Sequence, residues 1–263
     1  MQGWIDAHNH LQDPRLGDRE PVIAAMRGAG VKRCVVNATS EGDWAAVAAL
    51  VSEHPDFVMP AFGIHPWQAH TATPGWETRL AGLLDRFPQA SIGECGLDGW
   101  VGEPVVETQM PVFLAQLRLA RETDRPVTIH CLKAWQPLFD AFKKETPPSR
   151  ILMHSFGGSI EIARRLLPMD AFFSFSGYFL HERKSAVIAV FRQLPVDRIL
   201  VETDAPDMLP PPDFVAYPLS GEWNHPANLP RIAEGLAVAL GCPAEELAEL
   251  TSGNAVRCFG DCP

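Results

Sequence analysis

The chain predicts an α/β protein, a single (β/α)8 barrel of the TIM type over residues 1–263. Three observations predict it. Eight short apolar runs recur along the chain, each closing on polar residues or glycine. Segments of helical period lie between many of them. The length also suits a single α/β barrel, which commonly needs about 250 residues.

Taken in order, the runs are GWIDAH (3–8), RCVVNAT (33–39), VMPAFGIHP (58–66), ASIGECGLD (90–98), PVTIHC (126–131), RILMHSF (150–156), AFFSFSG (171–177) and ILVETDAP (199–206). Near-continuous apolarity suits strands buried on both faces. Helical period appears at 21–28, 43–53, 109–123, 160–167 and 186–194, and 228–240 closes the series. Strands alternating with helices imply parallel pairing through right-handed crossovers. A doubly wound open sheet would share that alternation, but no GxGxxG follows the first run. Segments 205–218 and 220–230 carry seven prolines and should form a stiff loop over the barrel mouth.

Composition is ordinary for a soluble protein, with 46% hydrophobic and 21% charged residues. A net charge of −10 gives no broad electrostatic footprint for nucleic acid. A phosphate-bearing substrate would need local cations. Cys34, Cys95 and Cys131 lie in apolar runs and read as small hydrophobes. Cys258 and Cys262, four apart, could pair or bind metal, though no CxxC occurs. Neither a signal peptide nor an apolar run long enough for a membrane span is visible, so the expected location is cytoplasmic.

Polar residues gather where the strands should end. His8 and His10 close the first run, His65 the third, Glu94 the fourth, His130 the fifth, His154 the sixth and Asp204 the eighth. In a barrel, that end carries the active site. Strand side chains alternate, so Asp6, His8 and His10 should share a face, and the two histidines could grip one ion. His8, His10, Glu94, His130, His154 and Asp204 outnumber the ligands of a single catalytic zinc, so two ions bridged by Glu94 are expected. Zn, Mn, Mg, Co or Fe are the candidates. Asp6 and Glu202, each two residues from a ligand, are expected to orient ligands from behind.

The motifs DAHNH (6–10), GIHP (63–66), IGECGLD (92–98), IHC (129–131), HSFGG (154–158) and ETDAP (202–206) resemble the TatD-type metal-dependent deoxyribonucleases, in family order along nearly the whole chain. The resemblance implies a (β/α)8-type barrel in which His8, His10, Glu94 and Asp204 hold one divalent ion and Glu94, His130 and His154 the other. His65 would line the site near the substrate phosphate. Two departures fall where substrate would be touched. Leu132 and Lys133 stand where the family often has arginine, and Asn224-His225-Pro226 replaces Asn-Glu-Pro.

The expected activity is hydrolysis of a phosphodiester, as an exonucleolytic DNase. Asp204 would act as general base, with Glu94 and His65 beside it. Lys133 and the basic, aromatic cluster Tyr178, His181, Arg183 and Lys184 would hold DNA or another phosphodiester, and Trp67, Trp100 or Trp223 could stack bases. The alternative is the same machinery acting on a small ester, lactone or amide; a third reading is a barrel that keeps metal only structurally. No membrane association and no obligate protein partner are expected. Basic residues at 27–33 and 143–144 should lie solvated on the opposite face.

Overall fold

The computed structural model describes residues 3–260. Eight strands form one parallel sheet in sequential order: β1 (Trp4–Asn9), β2 (Val31–Asn37), β3 (Val58–Phe62), β4 (Ser91–Asp98), β5 (Val127–Leu132), β6 (Ile151–Met153), β7 (Ala171–Ser176) and β8 (Ile199–Glu202). Every apolar run is a strand. Helices α1 (Arg19–Gly28), α2 (Trp44–Glu53), α3 (Trp76–Arg86), α4 (Val106–Glu122), α5 (Trp135–Lys144), α6 (Ile160–Leu166), α7 (Ser185–Phe191) and α8 (Leu229–Leu240) follow the strands in turn, and α9 (Ala244–Phe259) comes last.

The sheet curls until β8 meets β1. His8 C=O accepts from the Asp204 N–H at 2.9 Å, and Ala205 C=O accepts from the His10 N–H at 2.8 Å. Below them, the Asp6 carboxylate accepts from the Thr203 N–H at 2.9 Å and its hydroxyl at 2.6 Å. Asp6 is thus a seam residue. It touches the backbone N–H of His8 (3.3 Å), not its ring. Its own pKa is pushed up to about 7 by burial, although Thr203 and Asn9 bond to it.

Three helices escape the sequence pattern. α3 buries only Trp76, Leu80 and Leu84, a narrow stripe among charges. α5 carries Pro137 in its first turn, where the missing N–H costs nothing. α9 mixes polar and apolar residues and holds Thr251, Ser252 and Gly253 at its centre, so tertiary packing decides it. Its Ala255, Cys258 and Phe259 pack with the strand residues Ala7, Val35, Leu152, Phe172 and Leu200, plugging one end of the barrel. Cys258 is therefore core; Cys262 lies outside the described residues. Two residues beyond Leu152 and Leu200 stand His154 and Glu202, so the plug and the polar site are successive layers.

Two of the basic residues expected away from the mouth form surface pairs: Arg27 with Asp56 at 3.1 Å and Lys143 with Asp140 at 2.7 Å.

Strand β4 approaches β5 unusually closely. Gly96 (φ 140) faces His130 in the ladder, and a Cβ there would meet the His130 carbonyl oxygen at 2.0 Å. Neither partner is a flexible side-chain tip, so the backbones would have to part. Gly96→Ala should cost about 3 kcal/mol or more in urea unfolding. A loss below about 1 kcal/mol would show that β4 and β5 have room to separate.

Candidate active site

The strand ends converge as expected, and Glu94 is the hub. Its Oε2 lies 3.2 Å from His8 Nε2 and 3.4 Å from His10 Nε2. Its Oε1 lies 2.8 Å from His154 Nε2, 3.1 Å from His130 Nδ1 and 3.2 Å from His65 Nε2. Asp204 Oδ1 completes the first group, 3.3 Å from His8 Nε2 and 3.5 Å from His10 Nε2. The two oxygens of one carboxylate therefore face different nitrogen sets.

These spacings can be tested against a metal. Ligands bound tetrahedrally at 2.0–2.1 Å stand about 3.3 Å from one another. His8 and His10 Nε2 are 3.3 Å apart, and with Glu94 Oε2 and Asp204 Oδ1 every measured separation lies between 3.2 and 3.5 Å. Two imidazole nitrogens and two carboxylate oxygens thus surround one point. The donor set fits a divalent cation. On the other side, His130 Nδ1 and His154 Nε2 are 3.2 Å apart beside Glu94 Oε1. That is a three-donor set with coordination to spare.

Each imidazole is aimed by an outer contact. His10 Nδ1 donates to the Asn37 carbonyl at 2.8 Å, which turns Nε2 toward Glu94 and Asp204. His130 Nε2 meets Asp98 Oδ2 at 2.9 Å, which frees Nδ1 toward Glu94. His65 works the other way round: its Nδ1 accepts from the Trp67 N–H at 3.1 Å, capping the 3-10 turn Pro66–Thr71. Its Nε2 then bears the hydrogen and points it at Glu94 Oε1. That makes His65 a donor beside the ligands. Glu202 Oε1 accepts from the N–H and hydroxyl of Ser155 at 2.7 and 2.6 Å, and lies 3.7 Å from His154 Nδ1. It thereby holds the turn that carries His154, whose ring stacks on His8 at 4.1 Å.

Strict alternation does not run the length of β1. The β1–β2 ladder shifts register between Asp6 and Asn9, so period two does not run through DAHNH. His8 and His10 nonetheless share a face as expected, their Nε2 atoms 3.3 Å apart.

Electrostatics follow from this packing. Burial alone would raise the pKa of Glu94, but His154, His65 and His8 outweigh it and hold the group well below the usual carboxylate range. For Asp204, burial is likewise overcome by His10 and His8. Burial opposes charge on the histidines too, yet Asp204 and Glu94 raise His10, Asp98 and Glu94 raise His130, and Glu94 and Glu202 raise His154. His65 is pushed down to about 4 by burial, in spite of Glu94, so it is neutral at pH 7.

Asp98 was not among the sequence candidates. It is fully buried, and besides His130 it accepts from the Trp67 indole at 2.8 Å and the Trp100 N–H at 2.6 Å. The available signal was its place at the end of IGECGLD, four residues beyond Glu94. Ser155 was also missed; its φ of 40 marks a backbone held for a purpose.

A cavity of about 1190 Å³ opens over these groups. Lys133, Tyr178 and Lys184 line it. His181 and Arg183 are not part of the lining: His181 Nε2 lies 3.3 Å from the Leu209 carbonyl, and Arg183 donates to the Tyr178 hydroxyl at 2.8 Å. His225 accepts from the Ala227 N–H at 3.0 Å, so it caps a turn instead of facing the cavity. Arg15 bridges Asp13 (2.8 Å) and Asp207 (2.7 Å) and lies 4.6 Å over Trp223, latching the late loop to the β1 loop.

A parallel eight-stranded barrel with histidines and carboxylates converging at one mouth defines a metal-dependent hydrolase. The profile of the TatD related DNases matches residues 5–260. The chain belongs to that family. It is 34% identical over 248 residues to the 3'-5' ssDNA/RNA exonuclease TatD of Erwinia tasmaniensis, covering 92% of this chain and 93% of that one. It is 30% identical over 257 residues to the metal-dependent hydrolase YabD of Bacillus subtilis, covering 97% and 98%. The crystal structure of YjjV, a TatD homologue from Escherichia coli, superposes with a TM-score of 0.89 at 29% identity, covering 98% of each chain.

Two outcomes follow for metal binding. Asp98→Ala leaves His130 without its acceptor and should weaken metal affinity about 10- to 100-fold, read by chelator competition; unchanged affinity would mean Asp98 does not aim His130. His10, His130 and His154 have raised pKa values in the metal-free protein, so their protons are retained to higher pH and must leave when metal binds. Calorimetry in buffers of different ionisation heat should show proton release at pH 7 and affinity rising from pH 6 to 8. Proton-neutral binding would contradict the raised values.

Proposed function

We infer that the chain is a nuclease that trims single-stranded DNA or RNA from an end, holding two divalent ions at the barrel mouth. The observation that carries this is the split of Glu94: Oε2 faces His8, His10 and Asp204, while Oε1 faces His130 and His154. A bridging carboxylate is what a two-ion centre needs. The names of the relatives support nucleic acid as the substrate.

When bound, such ions supply Lewis acidity to an attacking water and to the scissile phosphate. The chain's residues do the rest. Asp204 lines the cavity, with Oδ1 turned to the histidines and Oδ2 left 3.5 Å from the Ser155 hydroxyl. It is ionised and takes the proton of the attacking water. His65, neutral, orients through its Nε2–H. Lys133 and Lys184 meet phosphates, and Arg183 steadies the Tyr178 hydroxyl beside them. With a net charge of −10, attraction for a polyanion rests on these local groups. The cavity is closed below by the α9 plug, which suits a strand entering end-on.

We also place the protein in the cytoplasm. Among the described residues no helix is long and apolar enough to cross a membrane, and the five described cysteines are free thiols.

Asp204→Asn should lower kcat on an end-labelled single strand about 10²- to 10⁴-fold with Mg²⁺ or Mn²⁺, while the strand still binds. The assay should run beside a panel of esters and lactones. Hydrolysis of the panel without any cleavage of the strand would assign the chain to small-ester chemistry.

A further inference from the structure

Two tryptophans stand at the mouth with much of their rings bare. Trp67 is 49% exposed and Trp100 66%, although both line the cavity over Glu94. A tryptophan usually covers most of its ring on folding. Neither residue is loose. The Trp67 indole donates to Asp98 Oδ2 and the Trp100 N–H to Asp98 Oδ1. One buried carboxylate therefore fixes both residues, and it also holds His130. The Trp67 ring lies edge-on to His65 at 5.1 Å, which ties it to the centre. Lys133, held at φ 53, places its ammonium 3.7 Å from the Trp100 ring centroid.

Tryptophans kept for packing alone would turn their faces inward. Here the polar edge of Trp67 and the backbone of Trp100 are anchored while ring surface is left to solvent. A cation beside it adds what a sugar-phosphate chain requires. We propose that Trp67, Trp100 and Lys133 form a nucleobase subsite: an unpaired base stacks on the bare indoles, and Lys133 meets the adjoining phosphate. The proposal rests on the nucleic-acid reading above and adds which part of the strand the mouth grips. Only an unpaired base offers its face. Every base has such a face, so the subsite favours single strands with little sequence preference. A small ester or lactone would gain nothing from it.

The test uses the full metal-loaded chain and two oligonucleotides. One is an end-labelled dT strand; the other has abasic tetrahydrofuran residues at both ends. Loss of the terminal bases should raise KM about 10- to 100-fold. W67A/W100A should raise KM on the dT strand by a similar factor, and on the abasic strand by less than about threefold, because the two changes remove one interaction. W67F keeps an aromatic face without the indole N–H and should recover most of the KM, which separates stacking from the Asp98 contact. Tryptophan fluorescence of D204N should be quenched by the dT strand, and this quench should vanish in D204N carrying W67A/W100A. Equal KM for both strands, or no change in the double variant, would overturn the subsite. A wild-type chain that neither binds nor cuts either strand would instead overturn the nucleic-acid function, and the subsite with it.

Discussion

One buried carboxylate ringed by imidazoles governs the architecture of the mouth. Glu94 is nearly inaccessible to solvent, and an isolated charge there would be prohibitive. Five histidines within 3.4 Å make the ionised form the stable one. The requirement reaches outward from that point. β4 must pass close to β5 for His130 to arrive, and Gly96 is the residue that permits it. β1 and β8 must meet at their ends for His8 and Asp204 to share a corner.

A second layer gives the first its direction. A backbone carbonyl aims His10, a carboxylate aims His130 and a turn amide aims His65. Each aiming group comes from a different strand or loop than the ring it holds, or from the turn that the ring itself caps. The accuracy of the centre is therefore the accuracy of strand register. It also assigns different work to chemically identical residues: His10 turns Nε2 and His130 turns Nδ1 toward the carboxylates, whereas His65 uses Nδ1 to cap a turn.

Much of this is legible in the residues. Parallel strands covered on both faces read as continuous apolar runs, and ligands announce themselves by ending those runs. RILMH and PVTIH each carry strand and ligand in five letters. What stays hidden depends on neighbours. Asp98 reads only as the end of the fourth apolar run until β5 is laid beside β4 and brings the His130 ring within 2.9 Å of its carboxylate. Asp6 looks like a partner for the His8 ring, but a shift in the β1–β2 ladder sends its carboxylate to Thr203. The HERK stretch reads as one basic patch, yet a short turn directs Lys184 to the cavity and Arg183 to Tyr178. α9 has a mixed composition and becomes a plug because the barrel floor offers its apolar residues a seat.

The seam between β8 and β1 carries a mechanical implication. His8 and Asp204 sit on opposite sides of it, at the ends of the first and last strands, and belong to the same donor corner. A cation gripped by both would work as a removable cross-link closing a loop that spans all eight strands. Clasps over long loops restrict the denatured chain most. The hydrolytic centre would then double as the rivet of the barrel, and chelation would loosen the hoop as well as silence the chemistry.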